Sequence, residues 1–200
     1  MTRRHAALAF VASLAFPPIA AALAQSTIRG DSAPPGDSIF NLSDRWTDQH
    51  GKPFELLALR GRLAVVAMGY TNCPDICSAI VADMLWLDAH LPPTLIDKVR
   101  FVFASIDPKR DTPTVLKNYA DAFGVDQTRW TFLVGEDDSV RDLAAVLGVR
   151  FRANDSGGFD HSAIISLLSS EGVIAAQQVG IQASSQDLLT KLEALAGAPN

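Results

Sequence analysis

The sequence predicts an α/β domain of thioredoxin-like order: a central mixed sheet flanked by helices, with an extra N-terminal β-hairpin. Three observations carry this. Residues 63–70 ("LAVVAMGY") and 99–107 ("VRFVFASID") are continuous apolar runs, the pattern of strands buried on both faces. Each is followed by a segment with helical spacing, which makes a parallel βαβ unit. Last come two short apolar segments around Glu171-Gly172 and an amphipathic stretch, an antiparallel hairpin and a closing helix. Two hundred residues at 48% hydrophobic and 20% charged suffice for one domain with a core, and fit neither disorder nor a fibre.

Each element has its own signal. The start, "MTRRHAALAFVASLAFPPIAAALAQS", places Arg3 and Arg4 before an uncharged run and ends on Ala22-Leu23-Ala24. Residues 1–24 therefore read as a secretory signal cleaved before Gln25. The rival reading is an uncleaved anchor, which Pro17-Pro18 would interrupt. Residues 25–37, rich in Ser, Gly, Pro and Asp, are expected to be a flexible linker, and 38–197 the folded domain. "SIFNLSDRW" and "KPFELLALRG" flank the turn-rich "TDQHG" and predict a hairpin ahead of the main domain. From residue 75, Ile76, Ile80, Met84, Leu87 and Leu91 recur at helical spacing until Pro92-Pro93. After the second strand, Thr112 as N-cap and Pro113 at the first helical position open a helix through Phe123. Residues 130–135 make a third strand, and 138–149 a helix with Leu143, Val146 and Leu147 on one face. Residues 152–161 ("RANDSGGFDH") read as a Gly/Asp-rich loop, and the last helix spans 186–195.

Charge and compartment narrow the function. The chain carries 17 basic and 22 acidic side chains, net −5. Without residues 1–24, which hold Arg3 and Arg4 and no acid, 15 basic face 22 acidic, net −7. So acidic a domain is not a nucleic-acid binder. Export would place it in the periplasm, where disulfides persist and a cysteine pair is managed by redox enzymes.

Both cysteines lie in "YTNCPDICSAI", at the turn from the first buried strand into the first helix. At i and i+4 on a first helical turn, Cys73 and Cys77 face one point. Cys73 stands at the helix start, where backbone N–H groups and the dipole favour thiolate over thiol. A structural staple is the plain alternative, but a disulfide closing so short a loop stabilises little. Among the histidines, His5 leaves with the signal, His50 lies in a polar turn and His90 ends a helix. His161, on the loop before a core strand, differs: in a thioredoxin-like topology that loop lies beside the cysteine turn. Two sulfurs and one imidazole form a soft set suited to Cu(I) or Cu(II) rather than Mg, Ca or Mn. Zinc would require a fourth ligand, which Asp75, Asp160 or water would have to supply.

Three segments together, "GYTNCPDICS" (69–78), "SIDPKRDTP" (105–113) and "DHSA" (160–163), resemble the SCO/SenC family over roughly residues 38–197. The resemblance implies a thioredoxin-fold copper chaperone that helps metallate the binuclear copper site of cytochrome c oxidase subunit II. It implies Cys73, Cys77 and His161 as copper ligands, with Asp75 and Asp160 as acidic neighbours; a carboxylate there would orient the imidazole. A periplasmic copper donor and a thiol reductant are the further partners, with membrane contact through the acceptor. Asp107, Arg110 and Asp111 read first as capping and ion pairing in a strand-to-helix loop, with docking on the rim of the site as the other role. Met84 reads as core packing.

Two other chemistries use the same residues. In a thiol-disulfide oxidoreductase acting on the acceptor's cysteines, Cys73 attacks and Cys77 resolves. Thioredoxins, however, set a cis-proline opposite their cysteines, and here no proline stands between Pro113 and Pro199 and His161 occupies that loop. A peroxiredoxin-type peroxidase carries Pro-x-x-x-Thr-x-x-Cys, where this chain has Val66 and Tyr70. Metal binding, with a pair that also cycles as a disulfide, is the expected function, without enzymatic turnover as the main activity.

Overall fold

The computed structural model describes residues 33–42, 45–73, 76–181 and 185–197. The expected signal, residues 25–32 of the expected linker and Asp75 lie outside the described residues. No helix among the described residues is long and apolar enough to cross a membrane.

The strands are β1 (Trp46–Asp48), β2 (Pro53–Phe54), β3 (Leu63–Gly69), β4 (Val99–Ser105), β5 (Trp130–Gly135), β6 (Phe151–Ala153), β7 (Phe159–His161), β8 (Ile164–Leu168) and β9 (Ile174–Val179). The helices are α1 (Ile76–Ala89), α2 (Pro113–Phe123), α3 (Asp137–Leu147) and α4 (Ser185–Gly197). A seven-stranded sheet runs β2-β1-β5-β4-β3-β8-β9, and β6 and β7 form a separate two-stranded ribbon. The β3, β4 and β5 strands are parallel, while β8 lies antiparallel to β3 and β9 antiparallel to β8. This is the mixed sheet that the sequence predicts.

Every residue of β3 is buried, so its side chains alternate between two cores rather than between core and solvent. Val65 and Ala67 join Phe101, Phe103, Trp130 and Phe132 under α1, α2 and α4. Ala64, Val66 and Met68 face the other way, toward Val102, Leu133 and α3. Phe101 and Trp130 stack with centroids 4.7 Å apart. On α3 the buried stripe is Val140, Leu143, Ala144 and Leu147; Val146, expected on it, is exposed.

Two expectations change. The N-terminal hairpin is not ahead of the domain: β1 pairs with β5, Trp46 opposite Gly135, and makes this edge part of the main sheet. The Trp46 ring lies over Gly135, where a Cβ would approach it to 2.6 Å. Buried Gln49 completes the join, accepting from Phe132 N (3.0 Å) and donating to the Trp130 carbonyl (3.1 Å). The flanking segments 39–41 and 56–59 are short 3₁₀ turns, not strands.

Residues 152–161 are not a plain loop either. Arg152 pairs with Asp160 and Phe151 with His161, which puts His161 on a strand. The Asn154 side-chain oxygen accepts from the backbone of Ser156 (3.2 Å) and Gly158 (2.9 Å), and Gly157 takes the left-handed conformation that closes the turn.

Candidate metal centre

The central strand β3 delivers its C-terminal end into the loop that carries Cys73. Directly beyond, α1 places Cys77 on its first turn, fully buried against Met68 and Tyr70. The sulfur reaches the strand because Gly69 has no side chain: a Cβ there would stand 2.9 Å from Cys77 Sγ. The Tyr70 backbone N–H donates to that sulfur at 3.3 Å.

From the other direction, β7 delivers His161. Its Nε2 lies 3.0 Å from Cys77 Sγ, and its Nδ1 lies 3.0 Å from the Ser162 carbonyl oxygen. A carbonyl only accepts, so Nδ1 carries the proton and Nε2 presents a lone pair to Cys77. With that tautomer, a protonated Cys77 sulfur is placed to donate to Nε2.

The three ligand atoms of Cys73, Cys77 and His161 lie within 4.8 Å of one another. Donors about 2.0–2.3 Å from one ion stand roughly 3.5–4.5 Å apart, so small side-chain adjustments bring this set onto a single metal. The two cysteines are not joined by a disulfide. Cys73 is half-buried and lines an open cavity of about 740 Å³, with Asn72, Ile76, Ser156, Gly157 and His161 on its walls. The site is thus closed behind Cys77 and open in front of Cys73.

Cys77 is not a ready thiolate. Burial pushes the Cys77 thiol well above its ordinary range, with neighbouring Cys73 adding to the rise and the Tyr70 N–H opposing it. Burial lowers His161, against the Ser162 hydrogen bond. At neutral pH the pair is a thiol and a neutral imidazole, so binding a metal must expel a proton.

The expected neighbours are placed as follows. Asp160 alternates with His161 along β7 and turns outward, where Arg152 (2.9 Å) and Asn154 (3.2 Å) donate to it. Asn154 first, then Arg152, holds its carboxyl below the usual range. The imidazole is oriented by the Ser162 carbonyl rather than by Asp160. In the "SIDPKRDTP" loop, Asp107 pairs with Arg110, as ion pairing there predicts. Asp111 does more: fully buried, it accepts from Thr71 N (3.1 Å), Thr71 Oγ1 (2.6 Å) and Ser105 Oγ (2.6 Å). It ties the cysteine loop to the end of β4. Met84 is packed in the core, His50 is exposed, and His90 is exposed and stacked on Trp86.

Sequence reasoning passed over Tyr70, Thr71 and Ser162. Tyr70 and Thr71 adjoin the cysteine motif, but their partners lie 40 to 89 residues away. Ser162 acts through its backbone carbonyl, which no residue identity announces.

Known proteins resemble this chain in sequence and in fold. The SCO2-like protein of Rickettsia typhi is 34% identical over 131 residues, 62% of this chain and 63% of that protein. The chain thus spans less than two thirds of that curated relative's length. The solved structure of BsSco, described as a member of the Sco family of cytochrome c oxidase assembly proteins with a disulfide switch, matches with a TM-score of 0.68 at 23% identity, covering 78% of this chain and 92% of that one. Yeast Sco1 with copper bound matches with a TM-score of 0.65 at 23% identity, over 78% and 88% of the two chains. Both structures speak for a shared fold. The SCO1/SenC family description matches residues 36–197, which span the whole sheet and all three ligand positions, and the chain belongs to that family.

Proposed function

We propose that this protein is an exported copper metallochaperone: Cys73, Cys77 and His161 hold a copper ion and pass it to an acceptor, the binuclear copper site of cytochrome c oxidase subunit II. The observation that carries the reading is the approach of two sulfurs and one imidazole nitrogen to within 4.8 Å, with Cys77 and His161 84 positions apart in sequence. That donor set prefers copper among the divalent first-row metals by softness and by affinity order. Membership of the SCO1/SenC family, copper in the related yeast Sco1 and the assembly role of BsSco support it. Transfer requires only ligand exchange: the half-exposed Cys73 meets the acceptor first, and Cys77 and His161 release last. The periplasm is the proposed location, on the strength of the signal-like residues 1–24, with a copper donor and a thiol reductant as partners there.

Titration of the reduced protein with Cu(I) and with Cu(II) tests the reading. One ion per chain is expected, with weaker binding in Cys73→Ala and His161→Ala. Binding unchanged in Cys73→Ala, or a clear preference for zinc, overturns it.

A second reading, reduction of the acceptor's disulfide, is favoured by the division between a half-exposed Cys73 and a buried Cys77. Cys73 attacks the acceptor disulfide, one acceptor thiol leaves, and Cys77 displaces the second, leaving Cys73–Cys77 oxidised and the acceptor reduced. The named disulfide switch of BsSco supports this accessory role. Stoichiometric reduction of a peptide carrying the acceptor's cysteine pair checks it, and an unreacted peptide removes it.

A further inference from the structure

We propose that Tyr70 is a positioning residue for His161, fixing the β6–β7 ribbon over the cysteine pair; the proposal rests on the copper-binding reading above. Tyr70 touches both halves of the site. Its backbone N–H donates to Cys77 Sγ at 3.3 Å. Its hydroxyl, 89 residues away in sequence from its partner, donates to the Phe159 carbonyl (3.3 Å) and accepts from the Phe159 N–H (3.2 Å). Both backbone groups of one β7 residue are thus held by one phenol, which fixes the strand's height and its direction.

The ring adds a wall. It meets Phe159 edge-on at 5.7 Å and the His161 imidazole edge-on at 5.9 Å. Among the described residues the ribbon belongs to no larger sheet, β6 and β7 pairing with each other. On the far side of His161, Ser162 is tied to Arg150 by its own N–H (2.8 Å) and by its hydroxyl, which accepts from Arg150 N at 3.1 Å. His161 therefore hangs between two anchors, Tyr70 at Phe159 and Arg150 at Ser162. Gly158 is shaped for the first: a Cβ there would stand 2.7 Å from the Tyr70 hydroxyl oxygen, while the next nearest atom is the ring carbon at 3.5 Å.

The test compares copper affinity, by competition with a chromophoric chelator, in wild type, Tyr70→Phe, His161→Ala and the double variant. Tyr70→Phe keeps the ring and removes the clamp, so affinity falls by about tenfold, the scale of one or two neutral hydrogen bonds. In the His161→Ala background most of this loss disappears, because Tyr70 acts chiefly through the imidazole; what remains is the interaction of its side chain with Cys73. An equal loss in both backgrounds, or no loss in wild type, overturns the assignment. Gly158→Ala supplies an independent arm: its methyl displaces the hydroxyl, so it weakens copper in wild type but not beside Tyr70→Phe. If the wild type takes up no copper, the functional reading falls, and the positioning role is decided in the metal-free protein by NMR. There the His161 ring proton resonances shift in Tyr70→Phe toward those of a solvent-exposed histidine; unshifted resonances overturn it.

Discussion

Gly69 sets how close the buried sulfur comes to the sheet. A Cβ at this position would meet Cys77 Sγ and Phe103 Cζ, each at 2.9 Å, and both neighbours are fully buried, so neither has free space to retreat into. Gly69→Ala is expected to cost about 1–3 kcal/mol of stability, the usual range for forcing atoms into a packed core. It also turns the sulfur away from His161 and weakens copper binding. Denaturant unfolding of the metal-free protein and a copper competition measure the two effects. A variant as stable and as tight as wild type would show that the sulfur has room this geometry denies it. The histidine tells the complementary story: its productive tautomer depends on a neighbouring carbonyl, and Asp160 beside it serves Arg152 and Asn154 instead. An acidic residue next to a ligand in sequence is, on a strand, a residue on the opposite face.

Elements place the loops that carry these residues, and Asp111 is where two elements are joined. Its buried carboxylate takes three donors from the half-buried cysteine loop and from the buried end of β4. In Asp111→Ala, the Thr71 N–H and the hydroxyls of Thr71 and Ser105 lose their shared acceptor. The expected loss is about 2–3 kcal/mol, the cost of leaving a buried polar group unsatisfied, together with weaker copper binding as Thr71 moves the cysteine loop. Equal denaturation midpoints for variant and wild type would contradict the join. What was legible at this scale is instructive. The β3 strand could be read because all seven of its residues are buried, and α2 because Thr112 caps it, its hydroxyl accepting from Val115 N at 3.3 Å, with Pro113 behind it. The β6–β7 ribbon could not, because each strand has three residues and its main anchor, Tyr70, is remote in sequence. The β1–β5 join was hidden for a similar reason: it depends on a glycine accommodating a tryptophan ring and on one buried glutamine.

At the scale of the whole molecule, one strand pairing brings the site together. Because β8 runs antiparallel to β3, with Ala67 opposite Ile165, the start of β8 lies beside the end of β3. Residues just before β8 must then meet residues just after β3, which is why His161 could be placed near Cys77 from element order alone. This convergence also couples the fold to pH. Burial raises the Cys77 thiol above its ordinary value of 9.0, so above about pH 9 the unfolded chain gives up a proton that the folded chain keeps, and stability falls as pH rises. Tyr119, raised above 10.0 by burial, acts in the same sense from about pH 10. Burial lowers His161 below 6.5, so in acid the unfolded chain takes up a proton that the folded chain refuses, and stability falls as pH drops below about 6.5. These groups leave the metal-free protein most stable between about pH 6.5 and 9. Copper reverses the alkaline limb, because a sulfur bound to metal has already lost its proton. Copper affinity accordingly rises with pH across the neutral range, by about tenfold per unit for each thiol proton that binding releases, Cys77 supplying one of them. Unfolding midpoints from pH 5.5 to 10.5, with and without copper, measure both limbs. Cys77→Ser removes the fall between pH 9 and 10 and leaves the part due to Tyr119 and to Tyr70, whose phenol burial also raises; a limb that persists unchanged in that variant would place the titrating group elsewhere and detach the buried thiol from the stability of the fold.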